Sequence, residues 1–464
     1  MAGLFDGLEL GKRALSTHQL WLNTIGHNIA NANTPGYTRQ RVTTTTTVPY
    51  DTRFGPVGTG VTATDIYQVR DLFLNQQYRQ ESQALGQWTS MEKTMTQIEA
   101  LFSEPNDNSL SNQMDEFWNA WSDLATNPES LAARSALKEQ TNLMTSSFHR
   151  LYNQLSDLKK SVNNDIELSV QQVNQLSTEL ASLNMKIARS ELGGENANDL
   201  RDKRNYLIDQ LAELVNVNVA EQENGTATVY IGSLAIVDGS ESFNIGTYKA
   251  GAGASAISEI VWEGSTKGVK ILSGQIKGLL DTRDEAIPKY MQALDDMAAA
   301  LVQNVNSQHQ TGYGLDGDTG LNFFDANYTS AANIKLADDI DNDVSRIAVS
   351  LSGEVGDNRN ALAIAELRNA RLMSRGTATI SEFYSGLIGL VGVETSTAVS
   401  SRENYELLVG QIENSRQSVQ GVSLDEEMTQ MIKYQQAYDA AARVITVMDE
   451  ALDTVINGMG IVGR

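Results

Sequence analysis

The chain contains no cysteine, only six prolines and four histidines, and an aromatic content of 6% in 464 residues. Without cysteine, disulfides, thiolate metal sites and cysteine nucleophiles are excluded. No run of about 18 apolar residues occurs, so neither a membrane-spanning helix nor membrane insertion is expected. Basic residues are also scarce: 35 Lys and Arg against 58 Asp and Glu give a formal net charge of -23. Phosphate contacts need a basic surface, so nucleic-acid binding does not fit as the main function. The opening stretch MAGLFDGLELGKRAL has no basic head followed by an apolar run and a small-residue cleavage site, so no cleaved secretory signal is expected. The length allows two to four domains, and 41% apolar content allows substantial cores.

Most of what is present is helical pattern. Near the start, Leu4, Leu8, Gly11, Leu15, His18, Leu22, Ile25 and Ile29 recur at spacings of four and three, the narrow seam of a coiled coil. Asn31, Thr34, Pro35, Gly36 and Tyr37 follow. Pro35 stops simple continuation of the helix, Thr34 is pushed toward extended geometry, and Gly36 supplies a turn. The far end mirrors the near one. Ser423 and Glu426 form a capping box, with Asp425, Glu426 and Glu427 in the first turn, where the helix dipole favours acids. Met431, Tyr434, Tyr438, Ala441, Ile445, Met448, Leu452, Val455 and Met459 then repeat at three and four, with Glu427 the one polar break between Leu424 and Met431.

Between the ends, no glycine or proline occurs from Glu129 to Leu192, and an apolar stripe runs from Leu151 to Ile187; this reads as one long core helix. Asn198 to Leu214 reads as a helix returning along it. Further helices are expected over Gln68 to Phe102, Gln275 to Val305, Asn360 to Leu372 and Ser381 to Gln420. Alternating Val215, Val217 and Val219, then ATVYI, SLAIV, SFNI, EIVW and VKIL between Gly, Asn and Ser, predict five or six short strands. The fold class expected is mainly α with a β insertion. A body of long helices forms a bundle, the terminal helices pair as an assembly coiled coil, and one small antiparallel β domain is inserted. The expected divisions are 1–50, an N-terminal assembly helix and turn; 51–217, a body of long helices; 218–274, the β insertion; 275–310, more helical body; 311–356, loops with short strands; 357–420, helical body; and 421–464, a C-terminal assembly helix.

Little points to chemistry. HExxH, Gly-x-Ser-x-Gly, phosphate-loop and dinucleotide patterns are all missing, so no catalytic, cofactor-binding or metal residue is assigned and the chain is not read as an enzyme. Asp339, Asp341 and Asp343 carry the first spacings of a calcium loop, but Val344 stands where that loop needs glycine and Ser350 where it needs the closing glutamate; they read as a solvated acidic turn. His18, on the seam, reads as a packed or interface histidine. Two thin seams bury little area at roughly 25 cal/mol per Å², against a large ordering entropy. The ends are therefore expected to pair with each other and with neighbouring subunits, ordering on assembly. The Pro35 turn then marks the border between an assembly arm and a pre-folded body.

The run from Asn28 to Tyr37, NIANANTPGY, resembles the N-terminal signature of the bacterial flagellar axial proteins, the family of rod, hook and hook-associated subunits. The C-terminal stretch from Gly421 to Ile456, with Lys433 to Tyr438 and Ala440 to Val444, is similar to the hook-associated members rather than to the rod and hook subunits. The segment Asp199 to Leu207, DLRDKRNYL, resembles part of the same proteins. The similarity is strong over about 1–45 and 421–456 and moderate over 130–220 and 355–380. What this implies is a structural adaptor at the hook–filament junction, built as a ring of its own subunits. The neighbours implied are the hook protein and a flagellin-like second junction protein, with an export chaperone on the C-terminal helix. Export would proceed without a cleaved signal, and no cofactor is implied. Another axial subunit, hook or distal rod, is the alternative. A cell-wall hydrolase would need a carboxylate or histidine constellation, and an adhesin-like module would sit on the β insertion.

Overall fold

The structure is a computed structural model and describes residues 4–53, 55–102, 109–250 and 257–458. It opens with helix α1, Leu4–Ala30. Four short strands follow: β1 Gln40–Thr46, β2 Tyr50–Thr52, β3 Gly55–Val57 and β4 Val61–Gln68. β1 pairs antiparallel with β4, and β2 with β3. Strands were not anticipated here, and the β1–β4 ladder runs across the division expected at residue 50. The signal was present in the threonine-rich run from Thr43 to Thr47 and the alternation of Val61 to Gln68, a weak pattern beside the long helices.

The body is built on α4, Leu131–Ser190, a continuous helix of 60 residues, about 90 Å long. Ser130 caps its start by accepting from the Ala133 N–H. A 3-10 turn over Glu191–Gly193 and Gly194 at φ +85° end it. Against it lie α2 Leu72–Leu101, α3 Leu110–Thr126 and α5 Asn198–Leu214. The core follows the stripe of α4, with Leu155, Ile166, Val173 and Ile187 fully buried.

The β insertion comprises β5 Val217–Glu221, β6 Ala227–Ile231, β7 Leu234–Asp238 and β8 Glu241–Ser242 in one antiparallel sheet, then the pair β9 Ile245–Ala250 and β10 Ile257–Trp262. The expected strand over VKIL does not form. The stretch meets β10 through the Val261–Gly268 bridge and the Val269 N–H to Ile260 bond, and Leu272 N–H then turns to the Asn216 side chain. Asn163, Asn174 and Asn184, all on α4, hold the insertion by bonds to Ser258, Ile245 and Ala227.

The helix expected from Gln275 to Val305 is divided into α6 Gln275–Asp281 and α7 Ile287–His309, joined by a π-turn over Thr282–Ala286. Pro288 sits in the first turn of α7; it has no N–H to continue an α-helical ladder and crowds the preceding turn. Segment 311–356 consists of loops with isolated bridges, such as Tyr313 to Ser350, a short helix, α8 Asp338–Asn342, and a 3-10 turn over Val344–Arg346. There the three aspartates diverge: Asp339 pairs with Arg346, Asp341 with Lys138, and Asp343 accepts from the Ser345 N–H. Among the described residues no group of His, Asp or Glu could hold a metal ion. His309 is buried beside Trp121 and Phe323; its Nδ1 meets Leu321 O at 2.8 Å and its Nε2 accepts from Ala348 N–H at 2.8 Å.

α9 Arg359–Glu366 is shorter than the helix expected to Leu372 and gives way to a 3-10 turn. α10 Ile380–Gln420 then runs back along α2, opened by a Thr379–Glu382 capping box. The last helix is α11, Leu424–Asp453, continued by a π-turn to Gly458. The seam position at Met459 lies outside the described residues, as does most of the tail. No helix among the described residues is long and apolar enough to cross a membrane.

Candidate assembly interface

α1 and α11 lie antiparallel along each other. Gly7 faces Met448, Gly11 faces Ile445 and Ala441, Trp21 faces Tyr434, and Asn28 faces Glu427. Steps along α1 are thus matched, to within one residue, by steps back along α11. A Cβ built on Gly11 would stand 2.6 Å from Ile445 Cγ1, so the glycine in the seam is what lets Ile445 seat against the α1 backbone. The Trp21 and Tyr434 rings stack at 4.4 Å between centroids, inclined by 10°. His18 lies 6.0 Å from the same tyrosine ring.

Burial along the seam is incomplete. Of the seam residues named from sequence, Ile25 and Ala441 are buried. Leu8, Leu15, Leu22, Ile29, Met431, Tyr434, Tyr438, Ile445, Met448 and Leu452 remain half-buried. The side chain of Leu4 lies outside what the structure describes. Beside the seam, α11 carries an exposed outer row of Leu424, Met428 and Ile432. Two helices in contact along one edge leave most of each circumference uncovered, which is why the side chains do not reach core burial.

The end of this pair is polar and closed. Asn28 is fully buried, and its amide makes four hydrogen bonds. Oδ1 accepts from Gln40 N–H at 3.0 Å and from Tyr37 Oη at 2.8 Å, while Nδ2 donates to Gln40 O at 3.0 Å and to Glu427 Oε2 at 2.9 Å. That saturates the amide. Glu427 is also fully buried, and its other oxygen faces Arg41 Nη2 at 3.4 Å. Arg39 pairs with the neighbouring Glu426, and its N–H donates to Gln420 O at 2.8 Å. The polar break seen in the α11 stripe is therefore the counterpart of a buried asparagine at the matching level of α1.

The turn itself is built by short-range bonds. Asn31 Nδ2 donates to His27 O and Thr34 Oγ1 to Asn31 Oδ1, while Tyr37 N–H returns to Thr34 O. Gly36 takes φ +75°, and a Cβ there would lie 2.9 Å from the Tyr206 Cβ. Positive φ and contact with α5 both require glycine. Pro35 remains exposed, and Tyr37 reaches in to Asn28 and His27.

α5 receives this turn. His27 Nε2 stands 3.4 Å from Asp199, Gln40 Nε2 donates to Asp199 at 2.7 Å, and Asp202 accepts from Thr38 N–H at 3.0 Å and from Gln68 Nε2 at 2.6 Å. Burial pushes the Asp202 carboxyl up to about 6, against the opposing pull of its Thr38 bonds. Burial and the nearby carboxylates Asp199, Asp202 and Glu427 likewise raise the Tyr37 phenol, which stays protonated as a donor. The residues of DLRDKRNYL thus hold Gly36 of NIANANTPGY and the residues on either side of that run, His27, Thr38 and Gln40. Asn28, Gln40, Arg41, Asp199, Asp202 and Glu427 were not singled out as site residues. The available signal was Glu427, the one polar residue breaking the α11 stripe; Asn28 stands one position before the seam residue Ile29 and gave none.

A polar turn that joins the first helix to both the last helix and the body matches known proteins over each of those parts. The flagella basal body rod protein family matches residues 8–38, and the C-terminal family of flagellar basal body rod FlgEFG proteins matches residues 414–458. The two ends of the chain are thus similar to those of flagellar axial proteins. The body narrows the class: the flagellar hook-associated protein FlgK helical domain matches residues 95–324. Flagellar hook-associated protein 1 of Bacillus subtilis is 33% identical, covering 100% of this chain and 100% of that one. Its Escherichia coli namesake is 26% identical over 96% of this chain and 98% of the other. The chain belongs to the flagellar hook-associated protein 1 family. The flagellar hook junction protein FlgK from Burkholderia pseudomallei shares the fold, with a TM-score of 0.66 at 16% identity over 75% of this chain and 100% of that one.

Proposed function

We propose that the chain is the structural adaptor between hook and filament, and that the α1–α11 pair is its assembly element. The observation that carries this is the half-finished packing of that pair. Its inner seam joins the two ends of one chain, while the outer row of Leu424, Met428 and Ile432 stays exposed and gains burial when several copies meet. The Asn28–Glu427 junction sets the direction in which the pair leaves the body. In this reading the chain forms a ring of its own subunits, with the hook protein on one side and a flagellin-like second junction protein on the other. An export chaperone covers α11 beforehand, because the exposed row would otherwise self-associate. The role is structural and non-enzymatic, carried out in the flagellum outside the cell.

The test is microscopy of cells lacking the chain, with and without its restoration. Hooks without filaments, and flagellin lost to the medium, both reversed on restoration, are expected. Missing hooks would place the chain among hook or rod subunits, and normal filaments would overturn the assembly role.

A further inference from the structure

The β insertion holds a cleft that takes no residue from α1 or α11. It lies between the four-stranded sheet and the β9–β10 pair and encloses about 630 Å³, within the roughly 300–1,000 Å³ of small-molecule sites. Backbone bonds fix its walls. Phe243 N–H donates to Ile236 O at 2.8 Å, Glu263 N–H donates to Asn244 O at 3.0 Å, and Trp262 pairs with Ile245 across the β9–β10 ladder. Three apolar side chains line it: Leu234 from β7, Phe243 from the link between the sheets, and Trp262 from the end of β10. Leu234 is 38% and Phe243 45% exposed, and Trp262 is half-buried.

The polar groups lining the same cleft are largely unused by the fold. Among the described residues the Trp262 indole N–H, the Asn244 side-chain amide and the Glu263 carboxylate have no hydrogen-bonding or ionic partner. Asp238 accepts from Thr228 Oγ1 at 3.0 Å through one oxygen, and its other oxygen has no partner among the described residues. Unpaired donors and unpaired acceptors therefore border one aromatic cleft.

We infer that this cleft binds a neutral saccharide. A pyranose ring offers a face of C–H groups, which stacks on an aromatic ring, and an edge of hydroxyls that both donate and accept. Other ligand classes leave groups unmatched. An organic cation would suit the carboxylates and the aromatic faces, but it would turn its charge toward the indole N–H and the amide donors. An apolar side chain would strip water from Asp238 and Glu263 without replacing it. An acidic sugar or a phosphorylated ligand is repelled by those two carboxylates and by the formal net charge of -23,. Saccharide binding stands apart from the assembly role, and it gives the adhesin-like reading of the β insertion a ligand class.

The experiment uses the full chain with its tryptophans labelled with a nitrogen isotope. Five indole resonances are expected, and the one missing from Trp262→Phe identifies that of Trp262. Chitotriose, cellotriose and maltotriose are the probes, with tetramethylammonium as the cationic alternative. At least one of the trisaccharides is expected to shift the Trp262 resonance saturably while the other four indole resonances stay in place. The double variant Asn244→Ala/Glu263→Ala removes two exposed side chains without partners, so its melting temperature should match the parent. It should bind the same saccharide roughly tenfold more weakly. No saturable shift with any trisaccharide, or undiminished binding in the double variant, would overturn the inference. A shift with tetramethylammonium alone would replace the saccharide by an organic cation.

Discussion

Asn28 donates a hydrogen bond of 2.9 Å to Glu427, a residue 399 positions away in the chain, and both side chains are fully buried. A bond to a buried carboxylate contributes about 1.5–3 kcal/mol, and removing one partner leaves the other desolvated. Asn28→Ala also orphans the N–H and C=O of Gln40. A loss of about 3 kcal/mol is expected, read as roughly hundredfold faster amide exchange in α1 and α11 with exchange in α4 unchanged. Glu427→Gln keeps an acceptor for Asn28 and should fall between that variant and the parent. Equal acceleration in α4 would show that the junction belongs to the global core.

The Gly11–Ile445 contact predicts a suppressor pair. Gly11→Ala improves the helix propensity of α1 by about 1 kcal/mol but places a methyl against Ile445, an overpacking cost of about 1–3 kcal/mol. Incorporation into the flagellum should drop, and Ile445→Ala in the same chain should restore part of it. Ile445→Asp should block incorporation while leaving the thermal unfolding of the body in place. A large shift in that unfolding would place α11 in the monomer core.

Two buried groups oppose each other in acid. Burial lowers His309 from its ordinary 6.5 to about 4. The neutral ring is the one that accepts from Ala348, so its contribution is complete above 6.5 and is lost as pH falls toward 4. The two and a half pH units correspond to about 3 kcal/mol. Asp202, raised from 3.8 to about 6 mainly by burial, has the other sign: its protonation favours the folded state as pH falls through 6. Between pH 6.5 and 4, Asp202→Asn should therefore lose stability more steeply than the parent, and His309→Gln less steeply. Melting temperatures across that range check both. Parallel curves for all three proteins would contradict the assignment.

Arg134 predicts the behaviour of segment 311–356. It is 1% exposed and pairs with no carboxylate among the described residues; its guanidinium donates to the carbonyls of Pro128 and Ile347. Burial brings its pKa down to about 10, so it stays charged at neutral pH. Arg134→Met should leave those carbonyls unpaired, at about 2–4 kcal/mol, and expose 311–356 to limited proteolysis before the rest of the body. Cleavage spread evenly over the chain would contradict this.

Periodicity alone was enough for the long helices. The 60 residues of α4 carry an apolar residue every three or four and no glycine or proline, so no other element could bury that stripe. α5, α10 and α11 were legible for the same reason, as was the β insertion, whose period changes from 3.6 to 2. The strands between Gln40 and Gln68 were hidden because their residues are largely polar and few are fully buried, which leaves no strong alternation to read. The π-turn over Thr282–Ala286 fell inside an expected helix because its helical flanks outweighed the signal of Pro288.

The sequence by itself determined that the two ends of this chain carry thin apolar seams and that a turn follows the first of them. Those features depend on neighbours three or four residues apart. Only the tertiary structure decided what the turn is for. Asn28 needs Gln40, Tyr37 and Glu427 to fill its four hydrogen-bonding positions, and Asp199 and Asp202 come from a helix far along the chain. A polar residue in an apolar stripe is costly until its partner is in place, and that partner's position is set by the fold rather than by spacing.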